Sequence, residues 1–307
     1  MGAGPASPGP AIRSGFAALV GRPNAGKSTL VNAVVGAKIA ITSPTPQTTR
    51  HRLRGIHDAP DAQIVFIDTP GLHKPRDTLG EELNRSALMA LADVDVACLV
   101  IDASATVGSG DRWVARQLAR VSAPAVLVLT KADIVDPDLI DGQVNAAKAL
   151  GEFADVVVVS AVQRFNIEGF VAAVTRLLPE GPRYFPEGMS TDQPLEVMVA
   201  EFIREKVLHA MFDEIPHAVG VAVETLEAEP GRDLTKVAAT LYVERESQKG
   251  MMVGKGGSVI RRVGTEARPD LERLLGTRIF LDLRVKVKRD WRRDGAQVSR
   301  FGYGKGA

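Results

Sequence analysis

A single cysteine, Cys98, in 307 residues leaves this chain with no disulfide and no thiolate metal cluster. It sits inside the apolar run Ala97-Cys98-Leu99-Val100-Ile101, which reads as core in a reducing compartment. No apolar run approaches the length of a membrane span. The leader, residues 1–14, is rich in Gly, Pro and Ala but has no apolar h-region, so it reads as a disordered tail and not as a signal peptide. Gly2 suggests myristoylation, but Ala6 stands where Ser or Thr is needed. His51, His57, His73, His209 and His217 show no metal-ligand spacing, and no Ser/His/Asp signature, internal repeat or heptad is present. What remains is a cytoplasmic chain of about two domains, with 45% hydrophobic residues to build packed cores.

Strong net charge is also missing, at +1, but the balance is uneven. Residues 251–307 hold 14 Lys/Arg against 6 Asp/Glu, while the other 250 residues hold 24 against 31. One basic end on an otherwise acidic chain is a candidate polyanion-binding surface, with a solvated basic tail as the alternative.

The most informative stretch is Gly21-Arg22-Pro23-Asn24-Ala25-Gly26-Lys27-Ser28-Thr29, which fits G-x-x-x-x-G-K-[ST]. Phe16–Val20 before it is apolar and strand-like; after it Leu30, Val31, Val34 and Val35 recur at helical spacing. Strand, glycine loop and helix N-terminus in that order direct backbone N–H groups and the helix dipole at a phosphate. Lys27 then reaches the β- and γ-phosphates of a nucleoside triphosphate, and the Ser28 hydroxyl is a Mg²⁺ ligand.

Residues 15–180 alternate apolar runs (16–20, 52–57, 64–68, 97–102, 125–130, 155–160) with amphipathic stretches such as Leu79–Leu91, Asp111–Val121 and Ile167–Leu178. That alternation predicts an α/β domain, a mostly parallel sheet with helices on both faces, binding ligands at the carboxyl ends of its strands. Those ends carry polar residues. Asp68-Thr69-Pro70-Gly71 follows one strand: the carboxylate suits Mg²⁺, held through a water, and Gly71 offers an N–H to the γ-phosphate. Thr130-Lys131-Ala132-Asp133 follows another. A carboxylate at Asp133 accepts both N1–H and the N2 amine of guanine, and adenine lacks that amine. Ser160-Ala161 ends a third, where backbone N–H groups can meet the base O6.

Taken together, this order resembles the GTPases related to translation factors. More narrowly, Gly21–Leu30, Pro46–Arg52 and Asp68–His73 resemble the Era family of bacterial KH-domain GTPases. The resemblance continues through Thr191–Pro194, Ile203–Lys206 and Glu214–His217 to Val285–Arg292, roughly residues 15–303. It implies a switch I at 38–52, with Thr49 or its neighbour Thr48 giving a hydroxyl to Mg²⁺, and a switch II from Asp68 to about Thr78. Catalytic roles then fall to Asn24, Lys27, Thr49, Asp68 and Gly71. Two departures matter. Leu72 stands where a water-orienting glutamine is usual, so hydrolysis must find its electrostatics elsewhere. In relatives with Asn at the Asn24 position a K⁺ ion supplies it; Asn24 as a simple turn residue stays open. Thr130 replaces the usual Asn, which predicts a loss of roughly one hydrogen bond to the base, about 1 kcal/mol.

Pro179–Gly188 holds three prolines and two glycines, which predicts a linker at 181–191. Residues 192–307 then read as an α+β domain: a helix near 195–212, strands near 217–227 and 234–246, short helices at 258–264 and 266–275, and a strand at 279–288. Gly254-Lys255-Gly256-Gly257 opens a helix there and resembles the Gly-x-x-Gly loop of a bacterial-type KH domain, which clamps about four nucleotides of single-stranded RNA. Arg261, then Arg284, Lys286 and Lys288 on one face of the last strand, with Trp291 and Arg292 beyond, read as an RNA-facing surface with stacking potential.

The resemblance implies a slow GTPase that binds the 3′ end of 16S rRNA and acts in assembly of the 30S subunit, using GTP/GDP, Mg²⁺ and K⁺. It implies a cytoplasmic monomer without DNA binding, and leaves peripheral contact with the cell membrane open. Three other readings stand beside it: a tRNA-modification GTPase, which lacks the KH pattern; a metabolic P-loop kinase, which has no need of Asp133; and an RNA-binding module with a vestigial nucleotide site.

Overall fold

The computed structural model describes residues 12–75, 77–211, 218–301 and 303. Within them the chain forms two compact units: 12–39, 52–73 and 84–192 make one, and 40–51, 74–83 and 193–303 the other. The segment 40–51, inside the expected switch I, and the segment 74–83, which begins inside the expected switch II and runs past its end, therefore pack with the second unit.

In the first unit, strands β1 (Ile12–Gly21), β2 (Leu53–Asp58), β3 (Ala62–Asp68), β4 (Val96–Asp102), β5 (Ala125–Thr130) and β6 (Asp155–Val158) run in the order β2-β3-β1-β4-β5-β6. All neighbouring pairs are parallel except β2 with β3. Every residue of β3 is buried, as expected of a strand covered on both faces. Helices α1 (Lys27–Val35), α2 (Thr78–Met89), α3 (Ser109–Leu118), α4 (Pro137–Lys148) and α5 (Ile167–Leu177) follow the strands in turn, with residues 78–83 of α2 assigned to the second unit. Cys98 is fully buried in β4, and burial pushes its thiol up to about 12, which makes it inert.

The first unit departs from the sequence expectation in two places. Strand β1 starts at Ile12, so the last three residues of the expected leader are strand; its residues 1–11 lie outside the described residues. A seventh strand, β7 (Glu180–Gly181), pairs antiparallel with the start of β1. The Pro/Gly-rich stretch after it has no further helix or strand, yet it is fastened to the first unit. Gln63 accepts the N–H groups of Tyr184 and Phe185 at 2.7 and 2.9 Å, and Arg54 meets Asp192 at 2.7 Å.

The second unit contains α6 (Leu195–Ala210), β8 (Gly220–Ala228), β9 (Leu234–Val243), α7 (Glu246–Val253), α8 (Ser258–Leu275), β10 (Arg278–Val287) and α9 (Gly295–Arg300). Its sheet runs β10-β9-β8, parallel between β10 and β9 and antiparallel between β9 and β8. Here the expected helices at 258–264 and 266–275 are one helix containing Pro269. Val263, Ala267 and Leu271 recur every fourth residue and are fully buried, and that packing outweighs the hydrogen bond lost to proline. Residues 246–253, read in part as strand, form α7, started by Gln248 accepting the Arg245 N–H at 3.0 Å. Leu79 and Leu83 join Trp291, Val298, Phe301 and Tyr303 in a small aromatic core. Glu214–His217 lie outside the described residues.

Candidate functional site

The loop between β1 and α1 is held open by its backbone. Gly26 has φ 88° and abuts the Thr130 side chain, where an added Cβ would lie 3.1 Å from Oγ1. Gly71 is packed more tightly still: a Cβ there would meet the backbone of Pro23 at 2.6 Å, so only glycine lets the loop after β3 close on Gly21–Gly26. The Leu72 N–H donates to the Gly21 carbonyl at 3.0 Å and the Thr69 hydroxyl to that of Leu19 at 2.7 Å, joining the two loops. Asn24, at φ 63°, occupies the left-handed region that Asn tolerates better than most residues.

Lys27 is buried and its ammonium donates to the carbonyls of Arg22 at 3.0 Å and Gly21 at 3.3 Å. Burial pulls its pKa down to about 8, against the opposing pull of Asp68. The Ser28 hydroxyl donates to Asp68 at 2.6 Å, and Asp68, at the tip of β3, is fully buried. A hydroxyl and a carboxylate in contact beside a buried lysine are hard oxygen donors suited to Mg²⁺. Among the described residues no cluster of three or more His, Cys, Asp or Glu offers another metal site. Leu72 is 2% exposed and packs into the core beneath β1 and β4, which accounts for an apolar residue at that position.

At the ends of β5 and β6, Thr130 donates its hydroxyl to the Ala25 carbonyl at 2.6 Å, so the tether to the phosphate loop survives without asparagine. Lys131 pairs with Asp102 at 2.6 Å, and Ser160 donates to Asp133 at 2.6 Å. Asp133, Val135, Ser160, Phe165 and Asn166 line a cleft of about 480 Å³, with Ala161 next to Ser160 in sequence. Two contributors escaped the sequence reading. Asp102 holds Lys131; burial would raise its carboxyl, but the bonds from Lys131 and Ser104 keep it below the usual range. Asp111 pairs with Arg22 at 3.2 Å. Their one sequence signal is position: Asp102 ends β4, and Asp111 lies in the first turn of the helix that follows.

Thr48 and Thr49 belong to the second unit. Thr48 is buried, its hydroxyl donating to the Thr45 carbonyl at 2.6 Å, and Thr49 is half-buried.

Also in the second unit, Gly254, Gly256 and Gly257 have φ of 73°, 59° and 77°, and the N-terminus of α8 has no side-chain cap. Lys255 and Arg261 are exposed beside it. The rest of the expected RNA face needs correction. Trp291 is fully buried, donating its indole N–H to the Ala218 carbonyl at 2.8 Å, so it offers no stacking surface. Arg292 is bound to Glu244 at 2.8 Å and Asp77 at 3.5 Å, a structural pairing. Arg284 and Lys286 are exposed but partnered by Asp282 at 2.8 Å and Glu224 at 3.5 Å, and Lys288 is half-buried.

Residues 16–131 match the family described as 50S ribosome-binding GTPase, and residues 214–292 the family described as KH domain. The chain is 49% identical over 297 residues to GTPase Era of Mycobacterium avium, covering 95% of this chain and 99% of that one. GTPase Era of Mycobacterium tuberculosis is likewise 49% identical, over 298 residues. Among solved structures, Era in complex with MgGDPNP and nucleotides 1506–1542 of 16S ribosomal RNA matches with TM-score 0.92 and 34% identity, over 95% of this chain and 99% of that one. A single-residue variant of Aquifex aeolicus Era bound to GDP.AlF4- matches with TM-score 0.92 and 33% identity over the same shares. Among the described residues no helix is long and apolar enough to cross a membrane.

Proposed function

This chain belongs to the Era family of GTPases, and from that premise we propose that it is a GTP-driven switch that binds the 3′ end of 16S rRNA during 30S assembly in the cytoplasm. The observation that carries the proposal is a GTPase constellation and an open glycine loop on one chain. They lie within the 95% span that matches an Era holding MgGDPNP and 16S rRNA together.

Each residue has a part in the chemistry. On arrival of the triphosphate, Lys27 exchanges its bonds to the Gly21 and Arg22 carbonyls for bonds to the β- and γ-phosphates. The N–H groups of Asn24–Ser28 and the dipole of α1 receive the phosphates, and the Thr29 N–H adds to them. Ser28 and, through a water, Asp68 hold Mg²⁺, which neutralises charge developing between the β- and γ-phosphates. Thr49 supplies the switch hydroxyl to that metal when GTP is bound. Thr69 and Pro70 fix the turn that aims the Gly71 N–H at the γ-phosphate. Leu72 orients no water, so turnover is slow, and Asn24 would help to hold a K⁺ ion, which would supply positive charge in place of part of the missing electrostatics. Asp133 reads N1–H and the N2 amine of guanine, with Ser160 orienting it, the Ala161 N–H facing O6 and the Lys131 stem covering the base.

For RNA, Gly254–Gly257 admits a phosphate backbone to the uncapped start of α8, with Lys255 and Arg261 supplying charge. Arg284 and Lys286 contribute at the margin, after exchange of their carboxylate partners for phosphates, and Lys288 adds charge beside them. The protein acts as a monomer and does not read DNA. Crosslinking in cells followed by sequencing of the bound RNA tests this. Reads concentrated at the 3′ end of 16S rRNA are expected, and reads concentrated on tRNA or scattered over messages overturn the proposal.

A further inference from the structure

The segment that carries Thr48 and Thr49 is fastened, residue after residue, to one face of α6. Glu205 accepts the Thr42 N–H at 2.9 Å. Arg204, fully buried, donates to the Thr48 carbonyl and is held by Glu201 at 2.8 and 2.5 Å. His51 lies 3.7 Å from the Glu201 oxygen that Arg204 Nε engages. Glu201, Arg204 and Glu205 are one helical turn apart, so 42–51 runs along a single ridge. Neighbours hold the ridge in turn. Lys206 bonds Glu205 at 2.9 Å and Asp270 at 2.6 Å. Arg50 donates to the Val219 carbonyl at 2.6 Å and lies 5.3 Å from the Tyr303 ring centre. Burial would raise the Glu201 carboxyl, but Arg204, His51 and Arg50 around it keep it below the usual range and ionised.

A buried charge set is weak evidence for stability, since its desolvation offsets most of its attraction. An apolar ridge on α6 would pack as well, and would not fix the register of 42–51. Placement explains the charges better: each grips a backbone N–H or C=O, or a ring, of the segment expected to present a threonine to the metal. We propose, on the functional reading above, that Glu201, Arg204 and Glu205 are positioning residues for GTP hydrolysis. They act through residues 42–51 to set the backbone of Thr48 and Thr49.

The test is single-turnover hydrolysis by the full chain at saturating MgGTP, with Mg²⁺ titrations, GDP affinity and thermal melts alongside. Arg204→Lys keeps the charge beside Glu201 but loses the fork that also reaches the Thr48 carbonyl. Glu205→Gln keeps an oxygen for the Thr42 N–H, whereas Glu205→Leu does not. Misplacing a reacting group by an ångström costs about 100-fold. Arg204→Lys and Glu205→Leu are expected to slow hydrolysis by about that factor and to raise the Mg²⁺ needed for half-maximal rate. GDP affinity should hold, because on this reading the threonine hydroxyl meets the metal only when GTP is bound, and Glu205→Gln should restore most of the rate. A merely structural role predicts loss of GDP binding and of the melt together. Folded Arg204→Lys hydrolysing within about twofold of the unmutated chain overturns the inference. If Arg204→Lys fails to fold, the Glu205 pair decides, and equal rates in Glu205→Leu and Glu205→Gln overturn it. No hydrolysis by the unmutated chain overturns the GTPase reading, and this inference with it.

Discussion

Lys27 makes nucleotide binding dependent on pH in the mildly alkaline range. Its ammonium is buried against two carbonyls, and burial lowers its pKa from 10.5 to about 8, with Asp68 opposing. A displacement of that size corresponds to about 3 kcal/mol of disfavoured charge in the empty site. Phosphates arriving beside Lys27 favour the charged form and push its pKa back up. Below pH 8 the lysine is already protonated, so this group leaves affinity flat. Above pH 8 the empty site has lost the proton and must take one up on binding, so affinity falls by about tenfold per pH unit. At pH 8.5 a substantial share of empty sites is unprotonated, so GDP binding should absorb a measurable fraction of a proton. Isothermal titration of GDP at pH 8.5, in two buffers of different ionisation enthalpy, reads that fraction directly. Lys27→Met should bind weakly and absorb none. Uptake near zero in the unmutated chain would refute the argument, because an ordinary lysine is fully charged at that pH.

Three further outcomes follow from the site. Asp133→Asn replaces an acceptor-only group with one that also donates, so preference should move from GTP toward xanthosine triphosphate in competition binding; unchanged preference would remove Asp133 from the base pocket. Exchanging Na⁺ for K⁺ at constant ionic strength should raise the GTPase rate and Asn24→Ala should erase the gain, whereas equal rates would leave Asn24 as a turn residue, as its φ of 63° allows. Lys255→Asp with Gly256→Asp places two carboxylates at an exposed loop whose glycine has no neighbour within 4 Å. RNA affinity should fall by orders of magnitude, most at low salt, with melt and GDP affinity nearly unchanged; an early melt instead would mark the loop as structural, although the φ of 59° at Gly256 adds some strain of its own.

Legibility in the sequence was uneven, and the reasons are physical. The central strands of the first unit were visible because fully covered strands are unbroken apolar runs, as Ile64–Ile67 and Ala97–Ile101 are. The two residues of β7 carry no such pattern and owe their pairing to the start of β1. The phosphate loop and the strand-end residues were legible because their chemistry fixes residue type at fixed spacing. Asp102 and Asp111 were not, since nothing local says that a carboxylate at a strand or helix end meets Lys131 or Arg22. Trp291 among arginines looked exposed; only the tertiary contacts with Phe301, Tyr303, Leu79 and Leu83 reveal a core. The break expected between 264 and 266 does not occur, because the buried face of α8 runs unbroken through Val263, Ala267 and Leu271. Contiguous reading also hides that 40–51 and 74–83 pack with residues beyond 192, because such contacts join positions more than 150 apart.

The central claim is a GTP-dependent grip on the 3′ end of 16S rRNA. It is tested most directly by measuring the affinity of the full chain for a 3′-terminal 16S rRNA fragment with MgGDPNP, with MgGDP and with no nucleotide, at one fixed salt concentration. Tight binding with MgGDPNP, clearly weaker binding in the other two states, and discrimination against a scrambled RNA of equal length are expected. The same affinity in all three nucleotide states, or for the scrambled RNA, would contradict the account.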